Sequence, residues 1–239
     1  MKELFKEKGL WTASLFCLAA MAANLPLDNM KLPLETGSFL IFFSASLDTK
    51  TILFLIPAAS VLPMGATYVR EFSSGFLKLY LVRISRMEYV KRKIIEIYAG
   101  GFLVFFLSGI VWFCLCFLFL YPLEFTGNIT WNMVCKALSL LLRISLIGGI
   151  TAELSGIFGT LFQNYYMSYG LPFVSFYMLI ILKERFLKEL YALYPAEWIK
   201  CEQDWGADKI GIWIFLGVFS AILMLLHGLV LYARLQEVS

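Results

Sequence analysis

Several apolar runs in this sequence are as long as a helix needs to cross a bilayer, and that decides the fold class before any motif is considered. A hydrocarbon core of ~30 Å takes roughly 20 helical residues. Inside it every backbone N–H and C=O must be paired within the chain, so only helices and closed barrels span. The runs at 94–121 and 210–232 are too long and continuous for strands. With 60% hydrophobic residues, 22 Phe and a mean hydropathy of +0.78, the chain is expected to be an all-α, polytopic membrane protein.

Six transmembrane helices are expected in a single domain over 1–239, at 10–26, 51–69, 94–121, 131–162, 165–182 and 210–232. The Lys-rich start, apolar core and Ala20-Met21-Ala22 resemble a secretory signal. The further apolar runs behind them favour an uncleaved first span. Between the first two spans the apolar patch 39–43 is too short to cross, and reads as part of an extracytoplasmic loop that dips into the membrane. Pro57 and Pro63 are expected to kink the second span. The run 131–162 reads as one long helix, because a break at Gly148-Gly149 and an extra crossing would put Arg234 outside. An extracytoplasmic helical region is expected at 183–208, where Leu187, Leu190, Tyr191 and Tyr194 recur at helical spacing before Pro195.

Charge sets the orientation. Arg70, Lys78, Arg83, Arg86, Lys91, Arg92 and Lys93 crowd the stretch 70–93 against only Glu71 and Glu88. Such a cluster between two spans marks the cytoplasmic side, which places both termini there. Phe72, Phe76, Tyr80 and Ile84 form an i, i+4 row along it, with Ser74, Lys78 and Ser85 on a polar row. That pattern suits a surface helix whose ridge fits a partner's groove. The plainer reading is a positive loop attracted to anionic lipid.

Chemistry-bearing motifs are absent: there is no P-loop, HExxH, GxSxG or paired-Asp pattern. The expectation is a chain with no catalytic, cofactor or metal site and no nucleic-acid face. Cys17, Cys114, Cys116, Cys135 and Cys201 contain no CxxC pair and read as small apolar side chains. A Cys135–Cys201 bridge would suit their outer placement, and nothing requires it. The single histidine, His227, reads as a packed or hydrogen-bonded side chain. Arg143 and Glu153 both fall in the fourth span, ~15 Å apart along a helix, so each needs another partner. They are either an intramembrane polar lining or latch, or a snorkelling Arg143 with Glu153 at the cytoplasmic headgroups. On the same helix Gly148, Ala152, Gly156 and Thr160 make a stripe of small residues that lets another helix approach, within the chain or across a dimer.

Glu71 just after the second span, Gly75, the Ser85-Arg86 pair, Tyr89 and Lys93 together resemble the permease subunit of bacterial type 2 ATP-binding-cassette (ABC) transporters, the exporter-type membrane family. The six expected spans and the short amphipathic start agree with it. The resemblance implies that 70–93 is a cytoplasmic coupling helix between spans two and three, with Glu71, Gly75, Phe76, Tyr80, Arg83 and Arg86 coupling to a separate ATPase subunit that binds ATP and Mg. It further implies pairing with a second permease copy or a related permease, residence in the bacterial cytoplasmic (inner) membrane, and export of an amphipathic or hydrophobic cargo such as a peptide, drug or lipid. The mid-span ions and the Tyr-rich turn 164–169 have no counterpart in the family pattern. The alternative is an ATP-independent transporter or membrane assembly factor using Arg143 and Glu153, weakened by the lack of similarity between the two halves. A membrane-embedded enzyme ranks third, since no catalytic constellation is present.

Overall fold

The computed structural model describes residues 4–26, 34–124, 129–206 and 210–237. The fold is all-helical, with no strand among the described residues. Ten α-helices are described: α1 Lys8–Ala23, α2 Ser38–Leu47, α3 Lys50–Ala59, α4 Thr67–Ser73, α5 Phe76–Arg83, α6 Arg86–Leu120, α7 Trp131–Phe162, α8 Tyr165–Arg185, α9 Pro195–Lys200 and α10 Ile210–Glu237. Four of them, α6, α7, α8 and α10, are long and apolar enough to cross a membrane. A fifth crossing exists only if α2 and α3, bent by 57°, act as one broken span.

The six expected crossings therefore need correction at the N-terminal third. Helix α1 has 16 residues, ~24 Å, because the chain turns at Asn24, whose side-chain amide bonds back to the Ala20 carbonyl at 2.6 Å. The second expected span, 51–69, is divided into α3, turns over 60–66, and α4. Pro57 lies two residues before the end of α3, where its missing N–H leaves a helix bond unmade, and Pro63 lies within the turns. The patch at 39–43 is part of α2, which buries Phe39, Leu40, Phe42 and Phe43. The region 183–208 is mostly irregular: beyond α8 it holds only a short 3-10 turn at Tyr191–Leu193 and the six-residue α9, which Pro195 opens. Residues 207–208 of that expectation lie outside the described residues, as do Ala207 and Asp208 themselves.

Helix α7 runs unbroken through Gly148-Gly149 and forms the centre of the bundle, packing on α6, α10 and α8. Small residues make this possible. A Cβ on Gly148 would sit 2.7 Å from the Gly101 carbonyl oxygen, and one on Gly101 would sit 2.5 Å from Ala152 Cβ. At Gly156 the facing group is the His227 ring of α10, and at Gly159 it is Ser168 of α8. The stripe Gly148, Ala152, Gly156 and Thr160 is thus buried within the chain.

The bundle has two distinct ends. At the basic end meet the start of α1, α4 and α5, the start of α6, the α7–α8 turn and the end of α10. Arg70 pairs with Glu7 at 2.8 Å, Tyr165 hydroxyl lies 3.3 Å from Ser73 Oγ, and Arg234 donates to the Leu161 carbonyl at 2.8 Å. The hydrogen bond to the Glu7 carboxylate holds the Arg70 guanidinium above its ordinary pKa. At the opposite end the Glu124 carboxylate accepts from Gly37 N at 2.8 Å and Phe39 N at 2.5 Å, capping the start of α2. Trp112 then donates to Ser46 Oγ at 2.7 Å, so the end of α2 is tied to α6 and its start to the segment that follows α6.

Enlarging Gly101 to Leu should force α6 off α7 and lower stability by about 1–3 kcal/mol, typical of overpacking. Gly217→Leu, where an added Cβ meets nothing within 4 Å, is the matched control. Thermal unfolding in detergent should show a lower midpoint for Gly101→Leu alone; equal midpoints would mean the α6–α7 seam can open freely.

Candidate functional site

The basic stretch folds as three helices in series with α5 in the middle. Gly75, at φ +73°, turns the chain from α4 into α5, a conformation that favours glycine over residues with a Cβ. No atom lies within 4 Å of an added Cβ there, so the backbone angle alone explains the glycine. At the other end of α5, Ile84 is extended, and Ser85 Oγ accepts from Glu88 N at 3.3 Å to start α6. Arg86 opens that helix.

Glu71 joins these pieces. One carboxylate oxygen accepts from the Tyr89 hydroxyl at 2.5 Å, and the other pairs with Lys93 Nζ at 2.6 Å. Lys93 also lies 3.6 Å from Glu96, which accepts from Arg92 Nε at 2.8 Å. Tyr89 and Lys93 are one helical turn apart on α6, so a single carboxylate on α4 grips one face of that helix. A carboxylate, a phenol and an ammonium are what such a clasp requires: an acceptor with two lone-pair oxygens and two donors at matching reach. Lys93 and Tyr89 are buried, so the clasp is held away from competing water.

Helix α5 lies across the ends of α6 and α10. Leu77 is buried with Tyr68, Tyr89, Val90, Leu231 and Leu235. Tyr80 packs edge-on against Tyr89. This corrects the expected ridge: Tyr80 and Ile84 are half-buried against the bundle, because insertion of Leu77 sets the rotation of α5 and Ile84 lies beyond its end. The outward row is Phe76, Leu79 and Val82, at 55%, 63% and 86% exposure. Lys78 and Arg83 flank it, also exposed. Of the residues expected to couple to an ATPase, Phe76 and Arg83 face outward, Arg86 is half-exposed, Glu71 and Tyr80 face inward, and Gly75 forms the turn.

The mid-span ions are separated as their spacing requires. Arg143 donates from Nε to the Ile199 carbonyl at the end of α9, at 3.1 Å. Glu153 is fully buried and meets His227 of α10, Oε2 to Nδ1 at 2.6 Å. His227 is thus packed and hydrogen-bonded, as expected, and Glu153 faces the bundle interior. Glu153 Oε1 and His227 Nε2 have no hydrogen-bond partner among the described residues. The pair can hold one proton in a short hydrogen bond, on the carboxyl or on the imidazole. Gly156 leaves the room that the imidazole occupies. The two residues are 74 apart, beyond any local motif. The available signal was that each is an ionisable group within an apolar run, His227 alone in 210–232 and Glu153 with Arg143 in 131–162.

The Tyr-rich turn has a structural role at the basic end. Asn164 Oδ1 accepts from Tyr166 N at 2.8 Å to start α8, and Ser168 Oγ donates to the Gly65 carbonyl at 3.0 Å. That bond satisfies a carbonyl in the turns over 60–66. None of the five cysteines is in a disulfide, so Cys135 and Cys201 are not bridged. Among the described residues no group of His, Cys, Asp and Glu is arranged to hold a metal ion.

Comparison of the chain with family models, curated proteins and solved structures finds no match.

The clasp should behave as one unit. In a double-mutant cycle of Glu71→Gln and Lys93→Met, the coupling energy from thermal or denaturant unfolding in detergent should be about 0.5–3 kcal/mol. Strict additivity would show that Glu71 and Lys93 do not interact. Glu153→Leu should cost more than Glu153→Gln, because Leu leaves His227 Nδ1 buried without a partner while Gln can still bond it.

Proposed function

We propose that this chain is the transmembrane permease subunit of an ABC exporter, with α5 as the seat for a separate ATPase subunit. The observation that carries the reading is the pairing of an outward apolar and basic ridge, Phe76, Leu79, Val82 and Arg83, with an inward clasp onto α6. A surface row of large apolar side chains flanked by cations is costly to leave in water and suits a complementary groove. Force applied to α5 reaches α6 through the Glu71 contacts and reaches α10 through Leu77. The longest helix of the bundle then moves with the docking surface.

The remaining assignments follow from that reading. The basic end faces the cytoplasm by the positive-inside rule, with both termini there, in the inner membrane of a bacterium. ATP and Mg bind the partner ATPase, and the chain itself carries out no chemistry. A second permease copy or a related permease completes the pathway, and a hydrophobic or amphipathic cargo moves by alternating access. A second reading is favoured by a specific observation, the buried Glu153–His227 pair: an ATP-independent, ion-coupled transporter, in which a shared proton is gained and lost within the bundle.

Co-expression with its candidate ATPase and affinity isolation separate these readings. The wild-type chain should retain the ATPase, while Val82→Asp and Arg83→Glu should reduce recovery at least about tenfold, as for residues at the centre of a docking patch. ATP-driven export should fall with it. Full recovery in both variants, or proton-driven flux in liposomes without ATP, would leave the second reading standing.

A further inference from the structure

A cavity of about 950 Å³ opens at the end of the bundle opposite the basic one, between α2, α7, α9 and the start of α10. Its charged lining is Lys136, Arg143, Lys200 and Asp48, three cations against one carboxylate. The apolar lining includes Leu40, Ile41, Ile210 and Trp213. Ile41 and Ile210 are 60% and 54% exposed, so the apolar side of the cavity opens outward from the bundle. This site is independent of the ATPase-docking reading and lies at the other end of the protein.

The charges are not balanced from within. Among the described residues the Lys136 ammonium has no hydrogen-bond or ion-pair partner, and Arg143 bonds only through Nε, to the Ile199 carbonyl. Lys200 has a long, exposed contact of 3.7 Å to Glu202. The nearby Glu197 is already occupied, its Oε1 accepting from Gln203 N at 2.6 Å and Trp205 Nε1 at 3.3 Å. Lys136 and Arg143 lie seven residues apart on one face of α7, roughly 10 Å along its axis. A cation within an apolar helix is costly unless it is paired or solvated. Two of them turned into one cavity with a greasy wall make a site for a negative headgroup with an attached chain. The volume falls within the range of ligand pockets, ~300–1,000 Å³.

We infer that this cavity binds an anionic lipid of the surrounding leaflet, its headgroup between Lys136, Arg143 and Lys200 and its acyl chain against Ile41, Ile210 and Trp213. Basic pockets between membrane helices can hold acidic headgroups.

The test uses the full chain in nanodiscs of phosphatidylcholine with and without phosphatidylglycerol, with lipid retained after release counted by native mass spectrometry. The wild type should retain phosphatidylglycerol selectively. Lys136→Gln combined with Arg143→Gln should reduce retention at least about tenfold, and Arg143→Lys should restore most of it. Because Arg143 is partly buried, Lys136→Gln alone, at an exposed position, provides a variant that leaves the fold intact. Brominated phosphatidylglycerol should quench tryptophan emission, and Trp213→Phe should remove the part of the quenching specific to the acidic lipid. Equal retention of phosphatidylcholine, unchanged retention in the glutamine variants, or complete displacement by inorganic phosphate would overturn the inference, the last by showing a site for free anions only.

Discussion

The close approach of α6 and α7 at Gly101, Gly148 and Ala152 is the contact on which the rest of the bundle depends. In a membrane the lipid tails are as apolar as the helix surfaces, so burial alone does not drive helices together. Backbone proximity does, through dispersion contacts that only small residues permit. With α6 seated there, Leu141 packs into the space at Gly109 about two turns away, and Gly149 faces the Tyr98 ring. The same helix offers Gly156 to α10 and Gly159 to α8, so one central helix sets the positions of three neighbours.

Polar groups on α7 then hold the segment that hydropathy cannot describe. The irregular chain over 60–66 would leave backbone groups unpaired if it faced lipid. It is placed against α7 and α8 instead. Ser60 and Thr151 hydroxyls meet at 2.7 Å, Ser155 Oγ donates to the Ser168 carbonyl at 2.7 Å, and Ser168 Oγ serves the Gly65 carbonyl. Broken helices of this kind persist where protein groups satisfy them. The Glu71 clasp ties α4 to the start of α6.

Long apolar runs made α6, α7, α8 and α10 legible from sequence, and the small-residue stripe on α7 marked a helix seam. The N-terminal third was less legible for a physical reason. Hydropathy averages over Pro57, Pro63 and Asn24, where local hydrogen bonding stops a helix, and the short α2 looked like a loop because its charged flanks dominate the window. The helical spacing of Leu187, Leu190 and Tyr191 was real, but in the chain that segment packs as an irregular cap, with Tyr191 edge-on to Trp205 and Trp198 against Phe215 and Phe219. Glu71, Tyr89 and Lys93 could be singled out in sequence only by a resemblance, and in the structure the three side chains are in contact. The outward face of α5 depended on Leu77, which no periodicity singles out. Glu153 and His227, on helices far apart in sequence, could be paired only in three dimensions.

Hydrogen–deuterium exchange of the full chain, alone and with a bound ATPase, tests most directly whether α5 is the docking element of this protein. The account predicts added protection over 76–87, reaching into the start of α6 through the clasp, with the end opposite the basic one unchanged. Protection confined to the opposite end, or none over 76–87 in a stable complex, would contradict it.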